Sequence, residues 1–440
     1  MNDHPRQDPS QTPSRRDFLK GTAMAAVAGT LAGESGLAPR VFAAGSELLK
    51  IGLVGCGGRG SGAASQALHA DPHVQLVAMG DAFADKLESS LSGLKNSDVG
   101  EKVAVAGDHK FVGFDAYKHV IDSGVDVVLL ATPPHFRPAH LQYAVERGKH
   151  CFVEKPVAVD GPGVRSMLAT CELAKQKRLS IVSGLCWRYH AGMRATFAKV
   201  LEGALGNIVA IQATYHTQTL KKFPRKPEWS EMEFQLRNWN GFTWLSGDFN
   251  VEQHVHSLDK VAWAMRDEAP LRCTGSGGRQ ARTGEESGHV YDHFSVVYEY
   301  PSGVRAYCSC RQIDGCDNDV SDHIFGTTGT CHINAAAADS EIVSAGKTIW
   351  KNRAARGDDM YQTEHTEFFA SIRAGSPIHN GDYMAKSTLM GIMGRMSAYS
   401  GKAISWEQAL NSKESLGPAK YEWGPLPTPS VAVPGVTPFV

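Results

Sequence analysis

The sequence predicts an α/β protein in two parts: a parallel sheet wound with helices, then an α/β domain with a large, mostly antiparallel sheet. Three observations point there. The apolar run Leu49–Val54 enters a glycine-rich turn and then an alanine-rich stretch, Ser61 to Ala70, in the order strand, tight turn, helix. Two more apolar runs follow, residues 74–79 and 125–130, and the second is wholly apolar, as a strand covered on both faces must be. Past residue 200 the pattern changes to short strand-like segments at 208–215, 293–300, 304–310 and 323–325. Alternation is plainest in Val304-Arg305-Ala306-Tyr307-Cys308-Ser309-Cys310.

Composition narrows the function classes. The 440 residues leave room for two or three domains, and 42% hydrophobic with 21% charged residues is ordinary globular usage. Lys and Arg number 45 against 46 Asp and Glu, a net charge of -1, so no basic surface calls for nucleic acid or an anionic membrane. No apolar run has the length of a bilayer span, so membrane insertion is not expected.

Residues 1–43 read as an export signal. Ser14-Arg15-Arg16-Asp17-Phe18-Leu19-Lys20 precedes a weakly apolar segment from Gly21 to Gly33, and Val41-Phe42-Ala43-Ala44 supplies small residues where a peptidase cuts. This order resembles a twin-arginine signal, which implies the twin-arginine export machinery as a partner and a periplasmic or exported location. The nine cysteines are odd in number and irregular in spacing, unlike a disulfide framework. Cys308 and Cys310 read as buried thiols on one strand face, and no metal is expected.

The first domain is expected over residues 46–180. In Gly55-Cys56-Gly57-Gly58-Arg59-Gly60 the glycines permit a tight turn and let backbone N–H groups approach a pyrophosphate at a helix N-terminus. The second strand ends at Asp81, which is placed to accept hydrogen bonds from ribose hydroxyls. Asp81 would repel the extra phosphate of NADP, and its neighbours Ala82 and Phe83 supply no cation, so NAD is the expected cofactor. Arg59 is either a phosphate contact or a solvated loop arginine. The pattern is that of a Rossmann dinucleotide-binding domain.

Thr132-Pro133-Pro134-His135 follows the third long strand, and His150-Cys151-Phe152-Val153-Glu154-Lys155-Pro156 follows the next helix. This order resembles the Gfo/Idh/MocA family, the glucose–fructose oxidoreductase and inositol dehydrogenase group. The resemblance runs from Ile51 to about Trp406. It implies that Lys155 faces both nicotinamide and substrate hydroxyl, that Pro156 is often preceded by a cis bond, and that Thr132, Pro133, His135 and Glu154 join the cofactor site. Pro134 and Arg137 depart from the family's usual Asn and His. Without the family, Lys155 is a cation after an apolar strand, to be resolved by a cofactor or by an ion pair with Glu154.

The second domain is expected over residues 181–416. Asp248 or Asn250 can cap a helix on which Glu252, His256 and Asp259 share a face. Carboxylates one turn either side of His256 would orient it and raise its pKa toward neutrality, which suits a general base. The resemblance implies this role for His256, with Glu252 in place of the family's Asp. His254 is then a neighbour. Arg188 and Tyr189 resemble a pair lining the family's cleft, while Arg311 and His365 are polar candidates for the same cleft. With Asp259 they complete the expected substrate set. The remaining residues, 417–440, read as an extended proline-rich arm.

The expected function is hydride transfer between a sugar, cyclitol or glycoside hydroxyl and a tightly held nicotinamide cofactor. Two alternatives are an NAD-dependent glycosidase that oxidises, eliminates and re-reduces, and a catalytically silent sugar-binding protein. The family also implies a homo-oligomer, a dimer or tetramer.

Overall fold

The computed structural model describes residues 47–353 and 359–439, so the export signal lies outside the described residues. Six strands form an all-parallel sheet: β1 (Leu49–Val54), β2 (Val74–Asp81), β3 (Lys110–Val112), β4 (Val127–Leu130), β5 (His150–Val153) and β6 (Ile181–Ser183). Their order is β3-β2-β1-β4-β5-β6, so the chain reverses direction across the sheet beside β1. A ligand crevice is expected at that reversal, outside the carboxyl ends of the strands. Apolar side chains fill both faces. Leu49, Ile51 and Leu53 pack with Ala63, Ala67 and Leu68 of the helix Gly58–Ala70 and with Phe368 and Phe369 of the helix Met360–Arg373. Val128, Leu130 and Cys151 pack on the other side with Leu141 and Met167.

The second sheet has nine strands: β7 (Ile208–Thr217), β8 (Arg272–Gly278), β9 (His293–Glu299), β10 (Arg305–Gln312), β11 (Asp319–Gly326), β12 (Gly329–Asn334), β13 (Asp339–Ser344), β14 (Lys347–Asn352) and β15 (Ile404–Ser405). Their order is β14-β13-β12-β11-β7-β10-β9-β8-β15, antiparallel throughout except for β7 beside β10. The alternation in β10 turns Ala306, Cys308 and Cys310 into the core and leaves Arg305 and Tyr307 outside. Helices Val255–Ala264 and Gly381–Ser400 cover that inner face. The buried Met390, Met393 and Met396 lie in the core they share with β8 and β9.

One expected helix is two. Residues 249–264 form a short helix, Phe249–Glu252, and a longer one, Val255–Ala264, with the break at Gln253 and His254. The break starts from Asp248, held at φ 74° by burial among three donors: the N–H groups of Phe249 and Tyr291 and the hydroxyl of Tyr399. Residues 417–439 have no helix or strand, yet they are tied down. Gly424 accepts from the Met232 N–H, and Leu426 accepts from the Gln235 amide.

Candidate active site

A cleft of about 570 Å³ opens at the reversal of the parallel sheet and is closed from the other side by residues of the second sheet and the broken helix. The glycine turn forms one end. Gly55 has φ +95°, and a Cβ on it would lie 2.6 Å from the Thr132 nitrogen; a Cβ on Gly60 would lie 1.9 Å from the Gly55 carbonyl oxygen. These two positions demand glycine. Gly57 and Gly58 instead have open space where a side chain would stand, at the start of the helix Gly58–Ala70. Exposed backbone N–H groups at a helix N-terminus, with no side chain above them, fit the pyrophosphate of a dinucleotide.

Asp81 closes the turn. Its carboxylate accepts from the Cys56 N–H at 2.6 Å and the Phe83 N–H at 2.9 Å, so it bridges the glycine turn and the end of β2. Burial raises its pKa, and the two N–H bonds oppose that rise. The sequence reading found no cation beside Asp81. The fold brings Lys86 to this end of the cleft, one turn into the next helix, where its charge favours ionised Asp81.

Lys155 and Glu252 meet at the other end. Lys155 Nζ donates to the Glu252 carbonyl at 2.8 Å and to its carboxylate Oε1 at 3.0 Å, and both side chains are mostly buried. The ion pair with Glu154 envisaged for Lys155 is therefore replaced by one with Glu252. Glu154 is committed elsewhere: its Oε1 lies 2.5 Å from Arg59 Nε. Arg59 is not a solvated loop arginine, and it lines the cleft. It sits between Glu154 and Glu364, 3.7 Å from the latter, over the Tyr361 ring. The Lys155–Pro156 peptide is cis. Arg137, the departure from the family pattern, is buried behind this turn and donates to the Pro156 carbonyl.

His256 stands on the cleft wall, and its Nδ1 has no hydrogen-bond partner among the described residues. Its pKa is not raised toward neutrality but lowered well below the usual histidine value. Burial is the largest cause, followed by the charges of Lys155 and Lys260. Glu252 faces Lys155, and Asp259 faces away: it accepts from Arg188 at 2.9 Å and from the Ser387 hydroxyl at 2.8 Å. A neutral imidazole can still accept a proton.

The structure thus brings Gly55, Gly57, Gly58, Arg59, Gly60, Asp81, Thr132, Pro133, Glu154, Lys155, Glu252 and His256 to one cleft. It places the other expected residues away from it. His135 turns to the C-terminal segment, 2.7 Å from the Tyr421 hydroxyl. Arg188 is spent on Asp259 and Asp267, with its guanidinium over Tyr383. Tyr189 donates to Asn380 inside the protein. His254 is buried and bonded to Asn250, and Arg311 donates to the Asp317 carbonyl in the loop that follows its strand. His365 lies in the core against Phe152, with ring centroids 4.2 Å apart. In each case local packing or an ion pair captures a side chain that residue type or the family resemblance had offered as a ligand contact. Sequence reading missed Lys86, Tyr215 and Gln253, which line the cleft. Only Gln253 carried a signal, its position between Glu252 and His256.

Residues 49–183 match the family profile described as "Oxidoreductase family, NAD-binding Rossmann fold", and residues 193–332 match the "GFO/IDH/MocA C-terminal domain". Residues 12–32 match the twin-arginine translocation pathway signal sequence. The chain is 27% identical to 2,7-anhydro-N-acetylneuraminate hydratase of Escherichia coli over 41% of its own length and 44% of that protein, less than half of the relative. It is 24% identical to inositol 2-dehydrogenase 3 of Saccharopolyspora erythraea over 75% of its length and 87% of the relative. Among solved structures, levoglucosan dehydrogenase in complex with NADH and levoglucosan shares the fold. Its TM-score is 0.64 at 18% identity, covering 82% of this chain and 99% of that one. Two profiles of one family together cover more than half of the chain, from the whole parallel sheet into the second sheet, and the glycine turn, Glu154, Lys155 and His256 stand around one cleft; on that footing the chain belongs to the Gfo/Idh/MocA family of oxidoreductases.

Proposed function

We propose that this protein is an exported, NAD-dependent oxidoreductase acting on a secondary hydroxyl of a sugar, cyclitol or glycoside. The observation that carries the reading is that the Lys155–Glu252 pair and His256 share one cleft with the glycine turn and Asp81. The turn N–H groups would hold the pyrophosphate and Asp81 the ribose hydroxyls. NAD bound there supplies the two-electron acceptor. His256 takes the hydroxyl proton as the carbon gives up its hydrogen with the bonding pair, leaving a carbonyl. Lys155 stabilises the negative charge developing on that oxygen, and Glu252 fixes the ammonium in place. Burial keeps His256 neutral, the form that can accept the proton.

An exported enzyme meets little free nucleotide, so the cofactor is expected to stay bound and to be recycled between a donor and an acceptor substrate. The test is to purify the chain from Ala44 onward, dialyse it, denature it and identify any nucleotide by mass. Absorbance at 340 nm is then followed in intact protein as polyols and sugars are added. Retained NAD that becomes reduced supports the reading. Loss of NAD on dialysis removes the resident-cofactor part, and failure to bind added NAD removes the whole.

A further inference from the structure

A chain of side chains reaches the cleft from the second sheet and ends at Gln253. Arg282 is buried in the loop between β8 and β9. The Asp292 carboxylate holds that loop, accepting from the N–H groups of Gln280, Ala281 and Arg282 at 2.7, 2.6 and 3.0 Å. Arg282 Nη1 donates to Gln312 Oε1 at 2.6 Å. Gln312, buried at the end of β10, donates from Nε2 to Gln253 Oε1, and its own N–H is fixed on the Asp292 carbonyl at 2.9 Å.

The direction of this relay is not free. An arginine side chain has donors and no acceptor, so Gln312 must turn its carbonyl oxygen to Arg282 and its amide nitrogen to Gln253. Gln253 must then turn its oxygen inward. Its remaining group, the amide nitrogen, makes no hydrogen bond among the described residues, and Gln253 lines the cleft beside Glu252 and His256. We propose that Gln253 is a specificity-determining donor: it hydrogen-bonds an acceptor oxygen of the substrate near the reacting carbon, with its polarity set by Arg282 through Gln312. The oxygen is that of a neighbouring hydroxyl, a ring ether or a carbonyl. The proposal rests on the reading of the cleft as a polyol or sugar site.

Gln312→Glu tests the polarity directly. A glutamate still accepts from Arg282 but cannot donate to Gln253, so the Gln253 amide must rotate and present its oxygen to the cleft. For the NAD-loaded protein with myo-inositol, D-glucose or levoglucosan as reductant, KM is expected to rise about 10- to 100-fold, kcat to change much less, and bound NAD and Tm to stay at wild-type values. Gln253→Leu should raise KM comparably, and Gln312→Glu added to it should do nothing further, because the relay then has no end group. A Gln312→Glu protein with wild-type KM, or equal added losses in both backgrounds, overturns the proposal. Wild-type protein that holds NAD but is reduced by none of the three overturns the functional reading, and this inference with it.

Discussion

Lys155 and Glu252 lie far apart in sequence and meet only through folding, Lys155 at the end of a parallel strand and Glu252 at the end of a one-turn helix. Lys155→Met removes the cation near the developing oxyanion while keeping much of its apolar stem. Hydride transfer is expected to fall about 10²- to 10⁴-fold with bound NAD unchanged, read by single-turnover absorbance at 340 nm. Retention of more than a tenth of the rate would remove Lys155 from the chemistry. His256 gives a second prediction. It works as a base only when neutral, and its lowered pKa keeps it neutral through the range where an exposed histidine protonates. The single-turnover rate should stay level as pH falls through 6.5 and decline only at more acidic pH, whereas an acid limb centred at or above 6.5 would contradict the burial argument. Both residues were singled out in the sequence through the resemblance of Glu154-Lys155-Pro156 and of the Glu252–His256 pair to the family's motifs. Arg188 was read from its resemblance to a family pair and Asp259 from helical spacing, and nothing local to either reveals that they satisfy each other.

At the scale of elements, the strand, glycine turn and helix at residues 49–70 were readable because backbone geometry restricts the residues that can stand there. Gly60 shows how tightly: a Cβ there meets the Gly55 carbonyl oxygen at 1.9 Å, a backbone atom that cannot rotate away. Gly60→Ala must push the helix off the turn and misalign the N–H groups. It should lower NAD affinity at least tenfold and destabilise the protein by about 1–3 kcal/mol, measured by nucleotide titration and urea unfolding. Wild-type affinity would show that the turn does not carry the pyrophosphate. Other elements were hidden for equally physical reasons. Strand β8 reads Arg272-Cys273-Thr274-Gly275-Ser276-Gly277-Gly278, with no apolar alternation, because the helix Gly381–Ser400 crosses it closely: a Cβ on Gly275 would lie 3.0 Å from the Gly394 oxygen. The broken helix at residues 249–264 was read as continuous because its break follows from tertiary donors to Asp248, which no local pattern shows.

Across the whole molecule, both layers bury imidazoles. Burial lowers the pKa of His140 and His254 to about 3 and of His150 and His289 to about 4, and pushes His256 and His365 well below the usual value. The unfolded chain protonates these groups near 6.5, while the folded protein leaves them neutral until far more acidic pH. Below 6.5 the unfolded state therefore binds more protons, and stability falls with pH by about 1.4 kcal/mol per pH unit for each such histidine. Buried carboxyls act in the opposite sense. Burial raises the pKa of Asp81, Asp248, Asp259 and Asp322, and that of Glu364 far more, so these groups favour the folded state as pH falls through the carboxylate range. Between pH 6.5 and 5.5 an unfolded carboxylate is still almost wholly ionised, so each acid offsets the histidines over the part of that interval below its raised folded pKa; Glu364 has the largest shift, and the six histidines outnumber it. The urea midpoint is expected to drop steadily from pH 7 to pH 5.5, with the m-value unchanged. A midpoint that holds or rises over that interval would mean that the buried imidazoles are charged in the folded protein, and the neutral His256 required for proton abstraction would lose its physical basis.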